Sequence, residues 1–129
     1  MKKVEVVAAI ICNNDNILCC QREMNKLTYF SEKWEFPGGK LEEGETREEA
    51  LVREIDEELE MVISNIEFAL TVVHKYEDFE LTMHTYQVST TQTKFKLHAH
   101  KEAIWTPLEK LNKYDWAAAD LPIVEYLQN

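Results

Sequence analysis

Apolar residues fall into short β-branched runs separated by polar turns, with one stretch at helical spacing. Val4 to Cys12 is the first run and predicts a buried strand. Asn13-Asn14-Asp15-Asn16 follows, a tetrad of residues that tolerate left-handed backbone, and Ile17 to Gln21 returns as a second strand. The two form a hairpin. Arg22 to Lys33 is polar and irregular and reads as a surface loop beside a site. Trp34-Glu35-Phe36 is a short strand ended by Pro37-Gly38-Gly39. With Gly44, those two are the chain's only glycines, and their clustering predicts an unusual local conformation.

A helix comes next. Thr46 is a suitable N-cap, and Glu49 completes a capping box. Leu51, Val52, Ile55, Leu59 and Val62 make one apolar stripe. Strands are expected at Phe68 to Tyr76 and Leu81 to Ser89, joined by a turn at 77–80, with shorter ones at Phe95 to Leu97 and Ala103 to Thr106. Pro107 starts a short helix, and Ala117 to Leu127 forms the last one, with Pro122 in its first turn. Hairpins mixed with two main helices predict an α/β sandwich. The absence of repeats and linkers predicts a single domain over residues 1–129.

Charge narrows the partners. Fourteen Lys and Arg against 24 Asp and Glu give a net charge of −10, the wrong sign for a general binder of nucleic acid or anionic membrane. A small phosphorylated substrate remains open if divalent cations supply the positive charge. Cys12, Cys19 and Cys20 lie in apolar strand sequence and read as buried reduced thiols of a cytoplasmic protein. The N-terminus lacks a signal-peptide pattern, and no apolar run is long enough to span a membrane.

Ten of the 24 acidic residues lie between Glu42 and Glu60. On a helix Glu54, Glu57 and Glu58 share one face, beside the apolar stripe. Clustered carboxylates repel unless protons or cations neutralise them. Alone they describe either a solvated acidic face or an all-oxygen site for a hard ion such as Mg²⁺ or Mn²⁺. The glycine-bearing loop ahead of the helix favours the ion, because its backbone can reach the same place. Ala50 leaves room beside Glu54, and Arg53 can pair with an acid and hold it.

The stretch Gly39-(five residues)-Glu45-(seven residues)-Arg53-Glu54-Ile55-Asp56-Glu57-Glu58 resembles the Nudix box. One position departs: Glu60 stands where the family pattern has glycine. Val4 to Arg22, Trp34 to Gly39, Trp105 to Glu109 and Ala118 to Pro122 resemble the MutT-like branch, and most of all bacterial CTP pyrophosphohydrolases and 8-oxo-dGTP diphosphatases. The resemblance implies an α/β/α sandwich with a mixed sheet. It also implies Mg²⁺-dependent hydrolysis of a nucleoside triphosphate to monophosphate and pyrophosphate, by a monomer or homodimer. It makes Glu54, Glu57, Glu58 and the Gly39 carbonyl metal ligands, Arg53 their orienting group, and Glu45 a support of the loop.

Other assignments leave alternatives open. Arg22 and Lys40 are phosphate contacts or solvated surface cations. Many relatives carry an acid where this chain has Ala99, so the general base is Glu57 or Glu58 through the metal, or Glu102 or His100 nearby. His98 and His100 alternate on a strand and read as a structural pair rather than a zinc site. Trp34 and Phe36 are expected to divide between core and pocket, with Phe36 stacking on the base. Asp120 is a helix N-cap or a base reader. Ionised, it suits the cytosine amine; protonated in an apolar pocket, it suits an oxidised guanine. A different diphosphate substrate and a non-catalytic nucleotide-binding module are the competing functions.

Overall fold

A computed structural model describes residues 1–129. The elements are β1 (Lys2–Asn13), β2 (Asn16–Arg22), β3 (Trp34–Glu35), β4 (Gly38–Lys40), α1 (Arg47–Leu59), β5 (Ser64–Lys75), β6 (Phe79–Ser89), β7 (His100–Pro107) and α2 (Leu121–Gln128). Turns of 3-10 helix cover Leu108–Lys113 and Ala118–Asp120. All seven strands join one mixed sheet. β1 runs parallel to β6 from Lys2 opposite Phe79 to Cys12 opposite Ser89, and β5 pairs antiparallel with β6. No helix is long and apolar enough to cross a membrane.

β1 and β2 form the expected hairpin, with Asn14 at φ 53° in its turn. They pair only at Cys12–Ile17 and Asn13–Asn16 and then diverge. Residues 34–40 bridge the divergence. β3 pairs with Cys20 and Gln21 of β2, Ala9 N–H donates to the Pro37 carbonyl at 2.8 Å, and β4 pairs with Val6 to Ala8 of β1. The glycines serve this crossing. Among the three glycines only Gly44 has a positive φ, at 81°, so the unusual conformation expected of them is confined to it. Gly38 is required by proximity: a Cβ there would lie 1.9 Å from the Val7 carbonyl oxygen.

Side chains of β1 alternate between two cores. Val7, Ala9 and Ile11 pack with Ala50, Leu51, Ile55 and Leu59 of α1. Ala8 and Ile10 pack on the opposite face with Trp34, Phe36, Leu111, Ile123 and Val124. A strand buried on both faces is nearly continuous in apolar residues, which explains the first run of the sequence. The outcome is the expected α/β/α sandwich.

α1 carries the full capping box: Glu49 N–H donates to Thr46 Oγ1 at 3.1 Å, and Thr46 N–H donates to Glu49 Oε1 at 2.9 Å. Three expectations need correction. Val52 and Val62 are exposed and leave the stripe, because Val52 sits one position round from Leu51 and the helix ends at Leu59. Phe95 to Leu97 is not a strand. Its backbone caps α1 instead, with Lys96 N–H donating to Leu59 O at 3.0 Å and His98 N–H to Glu58 O at 3.1 Å. The last α-helix begins at Leu121 rather than Ala117, after the turn of 3-10 helix.

Glu60, at the box position where the family pattern has glycine, adopts left-handed backbone at φ 52°, ψ 46°. The helix end therefore keeps the geometry that glycine favours. Its carbonyl accepts from Gln92 Nε2 at 2.8 Å, and its carboxylate pairs with His98 Nε2 at 2.5 Å.

Gly38→Ala forces backbone against backbone where β4 crosses β1, so we expect it to cost about 3 kcal/mol of stability, read by chemical denaturation. A denaturation curve matching the wild type would mean that the strands separate there at no cost.

Candidate active site

One arginine organises the acidic helix. Arg53 Nε and Nη2 donate to the two oxygens of Glu45 at 2.6 and 2.9 Å, a bidentate pair. Nη1 donates to Glu54 at 2.9 Å and to Glu57 at 3.2 Å, and Nη2 also reaches the Lys40 carbonyl at 3.0 Å. These bonds hold the Glu45 carboxyl down to about 2. The glycine loop, its acid Glu45 and the helix carboxylates Glu54 and Glu57 are thus tied to one guanidinium. Glu57 is held by this pairing, so Glu54, Glu57 and Glu58 do not converge as a ready-made cluster.

Glu58 is different. Burial, then Glu35 and Glu54 nearby, push its carboxyl up to about 9. Its Oε1 is buried and has no hydrogen-bond partner. Gly39 completes the cradle, since a Cβ there would lie 2.4 Å from the Glu54 carboxylate. An orphaned buried oxygen among repelling acids, on hard oxygen donors only, suits a divalent cation.

A cleft of about 470 Å³ opens beside these acids, a volume suited to a small molecule. Its lining joins polar residues (Arg22, Glu35, Lys40, Glu58 and Asp120) to apolar ones (Val6, Phe30, Tyr76, Phe79, Leu81 and Met83). The loop after β2 is tied to the β5–β6 turn by Tyr29 stacked on Tyr76 at 4.8 Å and by the Tyr29 hydroxyl donating to Asp78 at 2.5 Å.

The site residues expected from the sequence are placed as follows. Arg22 lines the cleft, over the Phe30 ring and paired with Glu35 at 3.0 Å. Lys40 also lines it, with an exposed side chain. Phe36 lines it too, but one ring face is covered by Trp116, stacked at 4.7 Å. Trp34 does not line it, so only Phe36 reaches the cleft as expected, although both side chains belong to one core, since residues two apart on a strand share a face.

Asp120 does not cap α2. Its Oδ1 accepts from Phe36 N–H at 2.9 Å inside the cleft, and burial, reinforced by Glu35, pushes its carboxyl well above the ordinary range. Of the nearby candidates for the base, Glu102 is exposed and outside the cleft lining, while His100 is buried against Glu35. His98 does not share its side. It precedes β7 and pairs with Glu60 at the helix end.

Sequence reasoning missed Glu35, which touches Arg22 and His100 and lies near Glu58 and Asp120. The signal was there: a lone acid between two aromatics of a strand must face away from both.

Residues 6–126 match the NUDIX domain family. The chain is 34% identical over 125 residues to the CTP pyrophosphohydrolase of Escherichia coli K12, covering 97% of this chain and 91% of that one. Identity to the 8-oxo-dGTP diphosphatase of the same bacterium is 29% over 128 residues, covering 99% and 98%. The solved structure of the E. coli ORF135 protein matches with a TM-score of 0.81 at 31% identity, over 99% of this chain and 90% of that one. The chain belongs to the Nudix family, among its pyrophosphohydrolases.

Glu58 also sets a pH dependence. Its carboxyl is raised in the fold, so its contribution to stability is full below its ordinary value of 4.5 and is lost as pH rises toward about 9. In chelator-treated protein we expect Glu58→Gln to raise Tm and to flatten its fall across that window. Wild-type and variant Tm values running parallel would remove Glu58 as the cause.

Proposed function

We propose that this chain hydrolyses nucleoside triphosphates to a monophosphate and pyrophosphate with Mg²⁺, or Mn²⁺ in its place, and that cytidine nucleotides are its preferred substrates. The observation that carries the base preference is the near full-length similarity to a CTP pyrophosphohydrolase. The cleft supports the nucleotide, since an apolar wall is joined to Arg22 and the acidic helix. Glu54, Glu57, Glu58 and the Gly39 carbonyl would hold the cation, with Glu57 leaving its pair with Arg53 to do so. When bound, the cation supplies an activated water and neutralises the phosphate chain. Arg53 keeps Glu54 in place, and Arg22 and Lys40 contact phosphate. Three free thiols and the strong negative charge fit a cytoplasmic protein of one domain that takes small nucleotides rather than nucleic acid.

Asp120 complicates the base. An ionised acceptor would suit the cytosine amine, but burial pushes the carboxyl well above the ordinary range and so favours its protonated form. With Oδ1 on Phe36 N–H, a protonated Oδ2 donates. It can give that proton to cytosine N3 while Oδ1 takes the amine. It can equally pair with the oxygen and N–H of an oxidised guanine edge. The raised Asp120 carboxyl is therefore compatible with a second reading, an 8-oxo-dGTP diphosphatase, the activity named for another of the relatives.

Pyrophosphate release from CTP, dCTP, 5-methyl-dCTP, dGTP and 8-oxo-dGTP decides between them. The cytosine set is expected to lead, and a lead by 8-oxo-dGTP would move the function to sanitation of the nucleotide pool. Glu57→Gln should lower turnover by about two orders of magnitude with the fold intact. Nucleotide binding without Mg²⁺-dependent turnover in the wild type would instead mark a binding module. Asp120→Asn should change the ratio of the two leading substrates by about tenfold while the Mg²⁺ requirement stays. An unchanged ranking would refute the role of Asp120 in reading the base.

A further inference from the structure

A bulge at Lys101 of β7, facing the step from Gln21 to Arg22 in β2, sets Arg22 opposite His100. Bulges re-aim the side chains beside them. Glu35, opposite Cys20, lies between the two. One of its carboxylate oxygens accepts from Arg22 Nη1 at 3.0 Å, and the other lies 2.9 Å from His100 Nε2. The series runs inward, from a guanidinium 34% exposed, through a carboxylate 17% exposed, to an imidazole 2% exposed.

Nε2 faces a carboxylate, so it carries the ring proton. Nδ1 is buried with no partner. A ring that leaves one nitrogen unsatisfied bears a cost that an apolar residue would avoid. Its single side-chain hydrogen bond, to Glu35, is what the histidine contributes. That bond matters because Glu35 stands between opposing influences. Arg22 attracts it from the cleft, while the carboxyls of Glu58 and Asp120 lie close enough to be raised by it.

We propose that His100 is a positioning residue for nucleotide binding: it anchors Glu35, and Glu35 holds Arg22 extended in the cleft to meet the phosphate chain. This rests on the reading of Arg22 as a phosphate contact. His100 touches neither substrate nor reacting atoms. Without it, Glu35 keeps only Arg22 as a partner and moves with it, and the guanidinium loses its preset orientation. The effect belongs to affinity, not to the chemical step, since the Arg53 assembly stands apart from this series.

The test titrates α,β-methylene analogues of CTP and dGTP, in parallel, into wild-type protein, His100→Leu, His100→Gln, Arg22→Ala and the Leu–Ala double variant. His100→Leu is expected to weaken binding about tenfold, the scale of one hydrogen bond to a charged group, with kcat on the preferred triphosphate within about twofold. His100→Gln keeps an N–H near the Nε2 position and is expected to restore most of the affinity. The double variant should bind no more weakly than Arg22→Ala, because both changes act through one guanidinium. Unchanged affinity in His100→Leu with a lower Tm, additive losses in the double variant, or no rescue by glutamine would each overturn the proposal. If His100→Leu does not fold, His100→Gln against His100→Asn, whose shorter amide cannot reach Glu35, decides in the same way. A wild-type chain that binds neither analogue overturns the nucleotide reading and this proposal with it. Binding that ignores His100 overturns this proposal alone.

Discussion

The ion pair between Arg53 and Glu45 is the contact on which the site depends. A helix with acids at 54, 56, 57 and 58 repels itself, and the loop before it adds Glu42, Glu43 and Glu45. Arg53 answers most of that charge at one point. Its fork engages Glu45 twice, and the remaining donors reach Glu54, Glu57 and the Lys40 carbonyl. Lysine could not replace it, because a point charge lacks the planar set of five donors. The arrangement leaves one carboxyl out. Glu58 receives nothing from Arg53; it is half-buried, with one buried and unpartnered oxygen, where the cleft begins.

That geometry depends on the divergence of β1 and β2. Two strands that stay paired would close the sheet; these separate after the turn, and residues 34–40 cross the gap. The crossing works only with small residues. Gly38 passes against the backbone of Val7 and Ala8, and Gly39 passes against the Glu54 carboxylate. The same seven residues deliver Glu35 to the cleft and offer the Phe36 N–H to Asp120. The acid site and the base pocket are thus two faces of one short segment.

The sequence made the helix, its cap and the acidic motif legible because each follows local rules: 3.6-residue periodicity, a capping box and fixed spacing. The doubly buried β1 was legible for the same reason. What it hid depends on tertiary contact. The 94–98 segment carries strand-like residues, yet its N–H groups are spent on the end of α1. Glu60 takes a glycine's backbone conformation because a distant Gln92 and His98 hold it there. Asp120 has the chemistry of a cap, and only the approach of Phe36 turns it into the cleft. Phe36 reaches the cleft and Trp34 does not, yet the two share a face, and Glu35 between them is the residue that strand alternation singles out.

A protein of net charge −10 that takes a polyphosphate needs its few positive groups in the right places. Two acids, the half-buried Glu58 and the buried Asp120, sit along the cleft with raised carboxyls, and Glu35 lies near both. Their raised values have the same first cause, burial, but their uses differ. Glu58 has an orphaned oxygen and hard neighbours, so a cation is what relieves it. Asp120 already accepts from a backbone N–H and faces an apolar wall, so a proton relieves it and leaves a donor for a base edge. Arg22 lines the same cleft, paired with Glu35, so one ligand lying along it could reach both acids. On the proposed reading that ligand is a nucleotide with its cation, the phosphates bringing the cation to Glu58 and the base engaging Asp120.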